Sequence, residues 1–228
     1  MIAALYREER DAWRAHYRRY FKHAARSLGL GFIAGFLYFM LWPAQEKKAL
    51  EFVVRSFKDI HLHEPPFALA LTLFYHNARA SVVAVAAGIV PFLFLPILDP
   101  LMNGAVIGLL SSIMKHQGLN VPLMILTQVL PHGVFELAAV LYATSVGLYL
   151  SESVGKRALA AWRGKKGRRK GQPPPAADLT NFLETYPEKP EAAYESLAGN
   201  VFRSFVLVVL PLLLIAAFIE GFITPNLR

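Results

Sequence analysis

His76, Asn77, Asn103, His132 and Glu136 are lodged inside apolar stretches long enough to cross a bilayer. Lipid offers no water to a stray imidazole, amide or carboxyl, so such groups persist at depth only where they face protein or a wet cavity. The stretches are FYHNARASVVAVAAGIVPFLFL (74–95), MNGAVIGLL (102–110) and LPHGVFELAAVLYATSVGLYL (130–150). His132 and Glu136 stand four residues apart and therefore share one helix face. Pro131 suits a helix start, where Glu136 gains from the positive end of the helix dipole. Arg79, the one Lys or Arg in the second apolar run, is the expected partner of Glu136, with Glu220 of IEGFITP as the alternative acid. A pairing among Arg79, Glu136 and Glu220 would tie three spans together, and removing one partner would leave a buried charge unmet.

Other chemistries compete with that structural tie. His76, His132 and Glu136 are the residue types that give zinc three ligands and leave a fourth position open. The same groups suit a proton relay, or a solute path lined by half-helix ends and unwound carbonyls. No cofactor is expected on the tie reading, and zinc is the metal considered for the alternative. The sequence lacks H-E-x-x-H, G-x-S-x-G and a phosphate-cradling Gly-rich loop with Lys, which leaves an enzyme as the lesser reading.

The elements that must position these groups follow from composition. Of 228 residues 55% are hydrophobic and 18% charged, and the mean hydropathy is +0.38, outside the balance of a soluble domain. Apolar runs at about 25–42, 66–98, 101–117, 121–150 and 201–222 predict an all-α polytopic bundle of about five spans. The second and fourth are too long for one straight helix each, which predicts two broken or re-entrant helices, at His76-Asn77 and at Pro131-His132-Gly133. FALALTLFYHN followed by ARASVVAVAAG resembles MILTQVLPHG followed by VFELAAVLYATSVG, and paired breaks of this kind mark discontinuous helices in transporters. Gly31 and Gly35 in the first run and Gly104 and Gly108 in the third form G-x-x-x-G, the pattern of close helix approach, which also makes a homodimer plausible. Asn103 ahead of Gly104 suits a helix cap.

Charge sets the expected orientation. Arg7, Arg10, Arg14, Arg18, Arg19, Lys22 and Arg26 precede the first span, and RGKKGRRK (163–170) follows the fourth. Positive charge stays on the cytoplasmic side, so both segments are assigned inside a multi-pass protein of the cytoplasmic membrane. The organisation expected is a cytoplasmic amphipathic helix at 1–24, with Leu5, Trp13, Tyr17 and Tyr20 or Phe21 in the interface. A membrane bundle follows at 25–150 with an external amphipathic segment at 43–65. A cytoplasmic charged loop occupies 151–200, broken by QPPP at 172–175 and acidic from Asp178 to Glu195, with a short helix near Leu179–Leu183. The last span and an external C-terminus complete the chain at 201–228. The basic run has no interleaved aromatics, so it reads as a topology anchor touching anionic lipid rather than a nucleic-acid site. Cysteine is absent, which excludes disulfides and thiol chemistry.

Taken together, FYHN (74–77), Asn103-Gly104 followed by Gly108, LPHGVFELAA (130–139) and IEGFITP (219–225) resemble the stage II sporulation protein M family of integral membrane proteins, over about residues 25–225. That resemblance implies a helical bundle in a bacterial or archaeal cytoplasmic membrane. It implies a non-enzymatic scaffold that recruits or anchors peptidoglycan-remodelling partners of the cell envelope, as in sporulation engulfment. It points to His76, Asn77, Asn103, Gly104, His132, Gly133, Glu136 and Glu220 as the patterned positions, with no catalytic role attached to any of them.

Overall fold

The computed structural model describes residues 2–56, 65–167 and 190–224. Within them the chain is all-helical, with no strand, and five helices are long and apolar enough to cross a membrane, as the apolar runs predict. The remaining parts of the expected charged loop, including QPPP and the short helix near Leu179–Leu183, lie outside the described residues, as do residues 57–64 and the C-terminal residues 225–228.

Helix α1 runs unbroken from Ile2 to Leu41, with a π-helical turn at Trp13–Tyr17. Its N-terminal part is not a separate surface helix. Trp13 stacks on Tyr142 at 5.4 Å between ring centroids, and Tyr17 meets both Tyr142 and Tyr149 edge-on. The aromatic face expected in the membrane interface is instead packed into the bundle, because helices from farther along the chain supply a better apolar surface than headgroups do. A short amphipathic helix, α2 (Glu46–Ser56), follows. It is fastened to the end of α4 (Leu98–His116), where Ser112 Oγ donates to Glu46 Oε1 at 2.8 Å and His116 Nδ1 lies 2.9 Å from the same oxygen.

Helix α3 spans Pro66–Ala87 without interruption, so the break expected at His76-Asn77 is absent. The long apolar run is divided elsewhere, at Gly88 to Phe94, where Phe92 and Phe94 take left-handed conformations with φ of 70° and 48°. Two polar side chains do not interrupt the i to i+4 ladder when they have partners on a neighbouring helix, as Asn77 has. Helix α5 (Leu130–Gly167) is likewise helical through Pro131-His132-Gly133. Val121–Met124 and a π-helical stretch at Ile125–Val129 lead directly into it. Pro131 lacks an N–H to continue the ladder, and the widened π turn just ahead absorbs that loss without a re-entrant turn. Helix α6 (Pro190–Ser204) passes through a π turn at Phe205–Val209 into α7 (Leu210–Phe222).

The most extensive helix contact joins α1 and α4, and glycine causes it. A Cβ added at Gly31 would strike the backbone oxygen of Leu101, and one at Gly104 that of Leu28. At Gly35 it would lie 2.6 Å from the oxygen of Ala105, and at Gly108 2.5 Å from that of Phe32. Both G-x-x-x-G faces are thus occupied by each other within one chain. Gly88 of the linker and Gly147 of α5 make a second close approach. The main core cluster combines Tyr17, Val85, Tyr142, Val146, Val209 and Leu213, while large apolar side chains such as Ile33, Leu37, Leu71, Val83 and Phe218 face outward, as a lipid-facing surface requires.

Candidate functional site

Four helices place polar groups at one locus. Glu136 of α5 accepts a hydrogen bond from the Asn77 side chain of α3, and the charged groups acting on it are His132, Glu220 of α7 and Asp99 of α4. His132 Nδ1 stands 2.6 Å from Glu220 Oε2, both side chains about one-fifth exposed. One turn of helix, about 5.4 Å, separates His132 from Glu136 along α5. On α4, Asn103 Nδ2 donates to Asp99 Oδ1 at 3.2 Å and to the Asp99 carbonyl at 3.0 Å. The second carboxyl oxygen of Asp99, Oδ2, is buried with no hydrogen-bond partner among the described residues.

Asn77, Asn103, His132, Glu136 and Glu220 therefore belong to this locus, as the sequence suggests. Gly104 serves it indirectly, holding α4 against α1 beside Asn103. Gly133 is buried, and an added Cβ there would meet only Val129 at an ordinary 3.5 Å. Arg79 does not take part. It is exposed, it is not among the groups acting on Glu136, its expected partner, and the alternative acid, Glu220, has His132 beside it instead. The reason is helical phase: Arg79 lies two residues, about 200°, from both Asn77 and the buried Ser81, and so points away from the face that meets α5. His76 stands one residue and about 100° round from Asn77, and it is not among the groups acting on Glu136. No group of three or more His, Asp and Glu side chains converges to hold a metal ion among the described residues, so His76, His132 and Glu136 are donors of suitable type without a common focus. The arrangement ties α3 to α5 and α5 to α7, brings the Asp99 carboxyl of α4 within electrostatic reach of Glu136, and holds His132 and Glu220 close enough to exchange a proton.

Residues 24–225 match the family described as stage II sporulation protein M. The chain belongs to that family. The match takes in the whole four-helix polar locus and makes this a sporulation-family, multi-pass membrane protein. Nothing among curated proteins or solved structures matches the chain.

Two groups of functional interest escaped the sequence. Asp99 sits in LPILDPLMNG, four residues before Asn103. It falls between the apolar runs at 66–98 and 101–117, so the rule that singles out Glu136, an acid within an apolar run, passes over it. The second is a clasp on the buried side of α1. Glu9 is 4% exposed. Its Oε1 accepts from the Tyr142 hydroxyl at 2.5 Å and from Ser204 Oγ at 2.7 Å, and its Oε2 accepts from Arg203 Nε at 3.0 Å. Arg203 also reaches Glu8 at 3.0 Å. Nearby, Arg19 pairs with Glu152 and stacks on Tyr20, and His16 stacks on Tyr149. The only trace in the sequence is that Glu9, Trp13, Tyr17 and Tyr20 follow helical spacing, which marks the face and not its partners. Residues 2–23 precede the family match, so the clasp joins an N-terminal extension to the family bundle.

Proposed function

We propose that the protein is a non-enzymatic scaffold in the cytoplasmic membrane that recruits or anchors peptidoglycan-remodelling proteins of the cell envelope. The family match over residues 24–225 carries this reading. The polar locus supports it: Asn77 with Glu136 ties α3 to α5 and His132 with Glu220 ties α5 to α7, which is what a rigid docking platform needs. The basic residues of α1 support a cytoplasmic N-terminus. If two copies associate, they do so through surfaces other than the two G-x-x-x-G faces, which are filled within the chain.

Photo-crosslinking in the native membrane tests the scaffold. A crosslinker at exposed Leu71, Leu119 or Leu214 should capture the same envelope-remodelling protein from more than one position, and His132→Ala and Glu136→Gln should each weaken capture. Well-folded variants that capture as wild type does, or captured proteins with no envelope role, would sink the proposal. The absence of cysteine makes orientation directly readable, since a single Cys placed at Ala3 or Gln117 should be labelled from opposite sides.

A further inference from the structure

We infer that the outward face of the α1 extension is a binding site for anionic phospholipid headgroups, preferring a lipid with two phosphates. Arg14, Arg18, Lys22 and Arg26 are all exposed and recur every fourth residue, forming one ridge. The buried positions of the same helix, Glu9, Tyr17, Tyr20, Ala24 and Ser27, lie on the opposite side. Among the described residues none of the four cations has an ion-pair partner, whereas neighbouring Arg19 is engaged by Glu152. With His16, His23 and Arg19 they line an open hollow of about 450 Å³.

Length places this ridge at the phosphates. Tyr38, Phe39 and Trp42 cluster at the other end of α1, as aromatic residues do at a membrane interface. A hydrocarbon core of roughly 30 Å takes about 20 helical residues, which leads from Trp42 back to Lys22. Arg18 and Lys22 then stand at headgroup level, and the long side chains of Arg14 and Arg26 reach it from either side. Basic residues that act only during insertion need no fixed face. Here the Glu9 clasp and the Trp13–Tyr142 stack fix the rotation of the helix so that the ridge faces outward. Cations spaced one turn apart meet two linked phosphates better than one, hence the preference. The inference stands on charge, exposure and length, and not on the scaffold reading.

The test uses the purified full chain in detergent with cardiolipin, phosphatidylglycerol, phosphatidylcholine or inorganic diphosphate added, read by native mass spectrometry and thermal melting. Wild type should retain and be stabilised by cardiolipin most, phosphatidylglycerol less and phosphatidylcholine least, with the effect fading as salt rises. Arg14→Gln, Arg18→Gln and Lys22→Gln combined should weaken cardiolipin retention roughly a hundred-fold at low salt. Lys47→Gln with Lys48→Gln, exposed on α2, should change nothing. The charge-keeping set Arg14→Lys, Arg18→Lys, Lys22→Arg should restore retention, which separates lost binding from lost folding. Equal retention in the neutralised variant, equal retention of phosphatidylcholine, or a melting shift from diphosphate as large as from cardiolipin would each overturn the inference.

Discussion

The clasp at Glu9 and the locus at Glu136 are both polar clusters inside an apolar bundle, and they are finished differently. At the clasp both carboxyl oxygens of Glu9 are engaged, by two hydroxyls and a guanidinium, and the ring stack of Trp13 and Tyr142 covers it. At the locus four helices contribute, yet Asp99 Oδ2 has no hydrogen-bond partner among the described residues, and carboxyls outnumber the one imidazole beside them. A satisfied network rigidifies, while an incompletely satisfied one costs stability that function must justify. On the proposed function the difference separates a lock, at the extension outside the family match, from a candidate site within it.

The contrast breaks most visibly at the lock. Glu9→Ala leaves Arg203, 16% exposed, without its inner partner and strands the Tyr142 hydroxyl and Ser204 Oγ. The expected loss is about 3–5 kcal/mol, the range for an abandoned buried charge partner. It should be seen as a lower melting temperature and as detachment of the N-terminal segment under limited proteolysis, with partner capture intact at low temperature. Gly104→Val comes next. Its Cβ would meet the backbone oxygen of Leu28, so α1 and α4 must separate, at about 1–3 kcal/mol or more. Gly29→Val is the control, because nothing lies within 4 Å of a Cβ there, and its melt should match wild type.

Substitution at the site should show the reverse pattern. Glu136→Gln keeps an acceptor for Asn77 and removes a carboxyl from a crowded group, so stability should change by only about 1 kcal/mol in either direction. Partner capture should fall in the same protein. A melting loss as large as that of Glu9→Ala, with capture unchanged, would make the locus a second lock and remove the distinction.

Much of this was readable from residue types. Apolar run length revealed five spans, and the G-x-x-x-G pairs announced close packing, because both depend on composition along one helix. Asn77, Asn103, His132, Glu136 and Glu220 stood out because a polar group in lipid needs a reason. Pairing is not readable, since it depends on helix phase and depth across neighbours: His132 stands where Arg79 is expected, and Asp99 enters from a helix whose sequence signals are Asn-Gly and G-x-x-x-G. The breaks were inferred from run length, yet the run at 66–98 is divided by the turn after Ala87 and not by its polar residues. The clasp was hidden because Glu9 sits in a segment whose charge looks like solvated surface until Tyr142, Arg203 and Ser204 arrive from 133 or more residues away.

Arg79 gives the smallest and sharpest test of where the site ends. It shares α3 with Asn77 but lies on the other side of the helix, exposed, where a long side chain can carry its charge toward the headgroups. Arg79→Gln should therefore alter stability by no more than about 0.5 kcal/mol, as ordinary exposed substitutions do, and leave partner capture at the wild-type level. Asn77→Ala, two residues earlier, removes the hydrogen bond from α3 to Glu136 and should cost about 1–2 kcal/mol together with capture. The two variants, compared in one melting and crosslinking series, decide between a site defined by residue type along α3 and one defined by the face that meets α5. Equal effects would mean that Arg79 reaches Glu136 in the working protein, and the boundary drawn here between site and lipid-facing surface would have to move by half a turn of helix.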